Sequence, residues 1–410
     1  MPKRRPSWLL IVILYTISFL DMAGIGLVYV VFEPLIIDPN PLLPAGPSLG
    51  TRNVILGLLF AAYPVTQFFG APILGEISDQ LGRKKPLVFS TFFTAVAFFL
   101  SALAVWQNSL SLLFLSRLLS GLTAGNLTIS QALVGDLIEA KKRAPYMAAF
   151  TITGGVAWAV SPYLGSILAD AKLVSWFSPS LPFITLGVLF LLSGLTAYFA
   201  LHEEEKSKKL VLHLRIFKDL WKTLETPVIS PLLLISLVSI FGWMIFQGFM
   251  SPYLGERYHF SPLWIGETFT YFCAWYFIGG LVANLWLFKR LNIEKTNVFF
   301  LILVPFCVFS FLWLTKSTGI WYASAVANFS QSIATASFFA LFSLLAAANI
   351  QGKVFGFWNA GYALSSALGP VIGGVLANIQ INVPFFTASL ILSAAAILYI
   401  FWLKRRSLTT

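Results

Sequence analysis

Twelve apolar runs, each long enough to cross a hydrocarbon layer of about 30 Å, recur along this chain of 410 residues. They lie at roughly 8–31, 53–75, 86–106, 110–134, 145–169 and 181–201, then at 227–250, 263–288, 296–315, 319–345, 352–377 and 382–403. Lipid offers no hydrogen-bond partners, so a spanning segment must satisfy its own backbone, and runs of this length predict helices. The expected fold is an all-α membrane protein of twelve transmembrane helices. These form two six-helix bundles, 1–201 and 227–410, joined by a polar linker at 202–226. Hydrophobic residues make up 58% of the chain and charged ones 10%, which excludes a soluble globular domain.

The net charge of +11 would suit a polyanionic partner only if the cations formed one surface. Instead they follow the topology. Basic clusters at 3–5, 83–85, 141–143, 206–222, 289–295, 353 and 404–406 all fall on one side of the predicted membrane, whereas the other side carries only Arg52, Lys172, Arg257 and Lys316. The positive-inside rule makes the richer side cytoplasmic. A multi-pass protein of the cell's inner (plasma) membrane, with both termini cytoplasmic and no nucleic-acid partner, is expected. Lys3, Arg4 and Arg5 precede an apolar run too long for a cleaved signal, so that run reads as a retained first helix. Cys273 and Cys307 fall in apolar runs and read as packing residues. His202, His213 and His259 sit in connecting segments, with no metal-ligand spacing and no catalytic cluster. Neither a metal site nor an enzyme is expected.

Charges inside spans are costly and mark function more often than packing. Asp21 lies near the middle of the first span, and Arg117 lies seven residues into the fourth. At about 1.5 Å per residue the two reach similar depths, so an ion pair or a protonated Asp21 is expected. The functional reading is proton coupling through Asp21 and Arg117; the structural alternative is a permanent salt bridge pinning two helices. Glu33 and Glu267 fall at the outer ends of the first and eighth spans and read as an outer rim. Asp136, just before Lys141, Lys142 and Arg143, reads as an inner gate held by those cations. Gln67, Asn126, Gln131, Gln247, Asn328, Gln331 and Asn359, with Trp158, are candidate cavity residues. Buried amides need partners, which a substrate or cavity water could supply.

The segment Gly75-Glu76-Ile77-Ser78-Asp79-Gln80-Leu81-Gly82-Arg83-Lys84-Lys85 reads as a tight polar loop between the second and third spans. In it Gly75 would let a partner helix approach and Gly82 would turn the chain. The spacing G-x-x-x-D-x-x-G-R-K resembles the loop between the second and third helices of major facilitator superfamily transporters. There Gly75, Asp79, Gly82, Arg83 and Lys84 would form a conformational switch. The two halves also echo one another. Ser161-Pro162, Gly165 and Ser166 in the fifth span match Gly369-Pro370, Gly373 and Gly374 in the eleventh. An interior proline among small residues suits close bundle packing around a midplane site.

Further motifs narrow the resemblance. Asp21-Met22-Ala23-Gly24-Ile25-Gly26-Leu27 is similar to the first-helix signature of bacterial drug/proton antiporters, most of all the tetracycline/proton branch. Tyr63 to Lys84, with Gln67, Ala71-Pro72 and Leu74-Gly75, resembles the second helix and loop of that branch. Arg117 with Gly121 resembles its R-x-x-x-G element, where the arginine is implicated in proton transfer. Two departures stand out: Val30 and Glu33 replace prolines of the first helix, and Ser161-Pro162 stands where the fifth-helix motif has Gly-Pro. The resemblance implies a monomeric secondary transporter in contact with lipid, which needs no cofactor beyond the proton gradient. It would export a small amphipathic compound by alternating access. The alternative on the same fold is an importer or exporter of a nutrient or siderophore-like metabolite.

Overall fold

The computed structural model describes residues 8–38, 40–139, 142–201, 228–346 and 350–407. The linker expected at 202–226, the cations at 3–5 and 206–222, and Lys141 lie outside the described residues. Among the described residues, twelve helical spans are long and apolar enough to cross a membrane. The first half comprises α1 (Trp8–Ile37), α2 (Leu49–Leu81), α3 (Lys84–Trp106), α4 (Leu110–Leu122), α5 (Asn126–Leu137), α6 (Arg143–Ala169) and α7 (Leu181–Ala200). The second comprises α8 (Ile229–Gly248), α9 (Met250–Tyr258), α10 (Pro262–Val282), α11 (Ile293–Ser310), α12 (Ser317–Leu345), α13 (Gln351–Ala377) and α14 (Val383–Ser407). The fourth span is made of α4 and α5 and the seventh of α8 and α9, while the eighth continues past α10 through a π-helical turn, Ala283–Leu287, to Arg290.

Several helices run past the ends expected from hydropathy, the seventh span reaching Tyr258 where about 250 was expected, and two of the extensions bear on the site. The first continues from the expected end near residue 31 to Ile37, so Glu33 and Pro34 lie within it. The second continues to Leu81, so Gly75 to Leu81 is helix and only Gly82 and Arg83 separate it from α3. Gly82 supplies the positive φ, 94°, that this short turn requires. The polar loop expected across the whole motif is therefore a helix end. The physical reason is that intrahelical hydrogen bonds continue when the side chains turn polar.

The chain divides into two compact units. Unit 1 contains 1–46, 62–213 and 261–270; unit 2 contains 47–61, 214–260 and 271–410. Two helices, α2 and α10, thus contribute to both. Within unit 1, α1 packs on α6, and α3 packs on α4 and α7. Within unit 2 the counterparts repeat these pairings: α8 packs on α13, and α11 packs on α12 and α14. The apolar clusters repeat as well. In unit 1, Leu10, Leu87, Phe150 and Ala197 gather α1, α3, α6 and α7; in unit 2, Ile229, Leu301, Val354 and Tyr399 gather α8, α11, α13 and α14.

The matched proline segments occupy matched places. Pro162 and Gly165 of α6 face α1, where a Cβ on Gly165 would fall 2.8 Å from Leu27. Gly266 of α10 lies on Ser166 and the Pro162 carbonyl. In unit 2, Gly369 and Gly373 face Met244 and Phe249, and Pro370 and Gly374 take the start of α2 at Gly57 and Asn53. At Gly57, Gly369 and Gly374 a Cβ would meet backbone atoms, so the backbones pack directly, whereas Gly165 and Gly373 make room for the Leu27 and Phe249 side chains.

Candidate functional site: two buried charges in the first unit

The interruption of the fourth span builds the site. The helix α4 stops at Thr123, α5 restarts at Asn126 behind Gly125, and both Gly125 and Asn126 are poor helix-interior residues. The break leaves a helix N-terminus buried against α1, the place where a carboxylate is best received. Asp21, 7% exposed, occupies it. Its Oδ1 accepts from Asn126 Nδ2 at 3.3 Å, and the Leu127 backbone N–H also acts on it.

Asn126 is in turn fixed from α3. Its Oδ1 accepts from Ser90 Oγ at 2.6 Å and Thr91 Oγ1 at 3.3 Å, and its Nδ2 also lies 3.3 Å from Thr94 Oγ1. Thr94 meets the Thr123 hydroxyl at 3.0 Å. Every member of this network is buried. Each hydroxyl is also anchored to a carbonyl of its own helix, so the network offers Asn126 fixed partners.

Arg117, 3% exposed, stands apart from Asp21. Among the described residues it forms no ion pair, and its Nε has no acceptor. Of the two expected alternatives, an ion pair or a protonated Asp21, the ion pair is not formed. Aromatic faces hold the guanidinium instead, with Phe32 at 5.7 Å and Tyr63 at 5.1 Å from their ring centroids. A delocalised, weakly hydrated guanidinium suits that setting better than an ammonium would. Gly121, one helical turn along α4, lets α2 come close enough: a Cβ there would strike the Tyr63 carbonyl and the Thr66 hydroxyl. The Tyr63 hydroxyl accepts from Gln67 Nε2 at 3.4 Å and lies within electrostatic reach of both Asp21 and Arg117.

Further along α1, Gly26, Tyr29 and Glu33 share the face turned towards α6. Tyr29 packs against Trp158 at 5.8 Å and stacks with Phe269 at 6.0 Å. Glu33 is 7% exposed, which corrects the expectation of a wetted rim, because the helix that carries it does not end at the rim. Glu267 is half-buried.

At the other end of unit 1, Arg83 gathers the motif. It pairs with Asp79, donates from Nη1 to Ser78 Oγ at 2.8 Å, and donates from Nε to Asp136 Oδ2 at 3.0 Å. Asp136 thus meets Arg83, a cation from the α2–α3 turn, and Lys141 lies outside the described residues. Lys142 pairs with Glu139, and Arg143 Nε donates to the Ile138 carbonyl. Among the described residues nothing lies within 4 Å of a Cβ placed on Gly75, so none of them makes the close approach expected there. Lys84 turns away, its ammonium 4.9 Å from the centre of the Tyr198 ring.

The remaining cavity candidates separate. Gln67, Asn126, Gln131 and Trp158 belong to unit 1, and Gln247, Asn328, Gln331 and Asn359 to unit 2. Asn328 donates to the Ser324 carbonyl of its own helix, Asn359 is exposed, and Gln331 is buried with its Oε1 unbonded. Sequence reading missed Phe32, Ser90, Thr91, Thr94 and Thr123 as members of the site. Hydroxyl residues on apolar helices give no signal until their partner is known.

The Major Facilitator Superfamily model matches residues 11–349 and 232–409. Multidrug resistance protein 1 of Bacillus subtilis (strain 168) is 25% identical over 410 residues, covering 95% of each chain. Quinolone resistance protein NorA of Staphylococcus aureus (strain Mu50) is 28% identical over 399 residues, covering 92% of each. Among solved structures, a bacterial homolog of the human lysosomal transporter Spinster, inward-facing and occupied, gives a TM-score of 0.75 at 12% identity over 96% of each chain. An auto-inhibited POT-family peptide transporter gives 0.76 at 13% identity over 97% of each. At such identities these two likenesses concern the fold alone.

Proposed function

Because the chain belongs to the major facilitator superfamily, we propose that it is a secondary transporter exporting a small amphipathic compound in exchange for protons, by alternating access. The observation that carries the coupling is the separation of Asp21 from Arg117. A pair kept for packing would bring the two charges together, whereas here each is buried in its own neutral cradle. Asp21 can then gain or lose a proton without breaking a salt bridge. A proton from outside neutralises the carboxylate, weakens its hold on Asn126 and the α5 N-terminus, and later leaves to the inside. Tyr63, within electrostatic reach of both Asp21 and Arg117, is the side chain through which the two charges are linked.

The direction and the substrate class are supported by the relatives, which are named for resistance to multiple drugs and to quinolones. The Arg83 cluster with Asp79 and Asp136 is the switch that favours one end state. We place the chain in the cell membrane, both termini cytoplasmic, as a monomer needing only the proton gradient.

The test uses purified protein in liposomes with an internal pH dye and an imposed gradient, screened with a panel of amphipathic drugs and metal-chelating metabolites. Drug-dependent proton flux coupled to drug movement in the opposite sense is expected. Movement of a metabolite without proton flux would replace the proposal with a facilitator or importer on the same fold.

A further inference from the structure

A groove of about 550 Å³ opens on unit 1 between the start of α3 and the end of α7. Its composition follows two rows at four-residue spacing along α3: Lys84, Val88 and Phe92 in one, Lys85, Phe89 and Phe93 in the other. Residues four apart stack on one helix face, so each row begins with an ammonium and continues as an apolar wall. Tyr198 of α7 closes the groove, its ring 4.9 Å from the Lys84 ammonium. Phe89 and Phe93 tilt together at 4.4 Å. These rings remain open: Phe89 is 53% exposed, Phe92 41%, Phe93 38% and Tyr198 54%.

We propose that this groove binds one phospholipid with an anionic headgroup, its phosphate on Lys84 and Lys85 and an acyl chain along the phenylalanines. Both parts of the ligand follow from the two rows. Length supports it: from Lys84 to Phe93 the helix rises about 14 Å, close to the depth of one leaflet, about half of 30 Å. Charge supports it as well, since basic pockets between membrane helices hold anionic headgroups. A free phosphate would use the lysines and leave the aromatic wall unexplained; a neutral lipid would do the reverse. The headgroup also arrives beside Arg83, the residue holding Asp79 and Asp136.

The full-length protein is delipidated in detergent, then given phosphatidylglycerol and phosphatidylcholine in competition, and retained lipid is read by native mass spectrometry. Wild type is expected to prefer phosphatidylglycerol. The double variant Lys84→Gln/Lys85→Gln is expected to lose about 30-fold of that preference, at about 1 kcal/mol per lysine. Phe89→Ala/Phe92→Ala is expected to weaken retention of both lipids while keeping their ratio. Equal retention of the two lipids by wild type, or an undiminished preference in the lysine variant, would overturn the proposal. So would displacement of the lipid by inorganic phosphate at equal headgroup concentration, which would mark a simple anion site. If the lysine variant does not fold, the wild-type competition and the phenylalanine variant still decide.

Discussion

Asp21 is buried against the start of α5, and Asn126 holds it there with both ends of its amide engaged. Replacing Asn126 by Ala takes a buried partner from Asp21, while the Ser90 and Thr94 hydroxyls fall back on the Leu87 and Ser90 carbonyls. A loss of about 1–3 kcal/mol is expected, read as a lower thermal midpoint in detergent. Tyr63 separates two roles in one side chain. Tyr63→Phe keeps the ring over Arg117 and loses only the hydroxyl, so stability should hold while coupling changes. Tyr63→Leu removes the ring face and should cost a further 0.5–2 kcal/mol, roughly. Equal thermal midpoints for the two variants would show that the ring does not hold the guanidinium. Asp21 and Arg117 were legible in the sequence because charges inside apolar runs are rare. Their partners were not, since Phe32 and Tyr63 look like any other aromatic residue until packing sets them on Arg117.

Helices were legible where lipid forces them and illegible where they outlast it. Hydropathy located all twelve spans, yet it ended α1 before Glu33 and α2 at Gly75, because it follows side chains and not backbone hydrogen bonds. The same blindness hid the break between α4 and α5, because the whole stretch from Leu110 to Leu137 stays apolar enough to span. Gly125 and Asn126 were the available signal, as residues that start helices better than they continue them. The crossing of α4 with α2 depends on Gly121, where a Cβ meets backbone that cannot yield. Gly121→Ala should therefore destabilise by about 1–3 kcal/mol, whereas Gly75→Ala, with open space around it, should change stability little. A Gly121→Ala protein with an unchanged thermal midpoint would contradict this reading of the crossing. At the end of α2, Arg83→Ala removes one ion pair each from Asp79 and Asp136, whose side chains are 64% and 52% exposed. Solvent screens such pairs, so the expected effect is on transport rate and its salt dependence, with little change in stability. Transport by Arg83→Ala at the wild-type rate at both low and high salt would remove the switch role.

Across the whole molecule, the two units repeat one plan: the same helix pairings, matched apolar clusters, and a proline segment at the same place in α6 and α13. The second helix of each half, α2 and α10, contributes to both units. Proton coupling is the central claim, and it turns on whether the charge at Asp21 links the gradient to the substrate. The direct measurement compares wild type and Asp21→Asn in liposomes with a transported drug, reading gradient-driven accumulation and substrate exchange separately. The amide can still accept from Asn126 but cannot carry a proton. Accumulation should be lost in Asp21→Asn while exchange persists. Accumulation at the wild-type level in Asp21→Asn would contradict the account and leave Asp21 with a structural role.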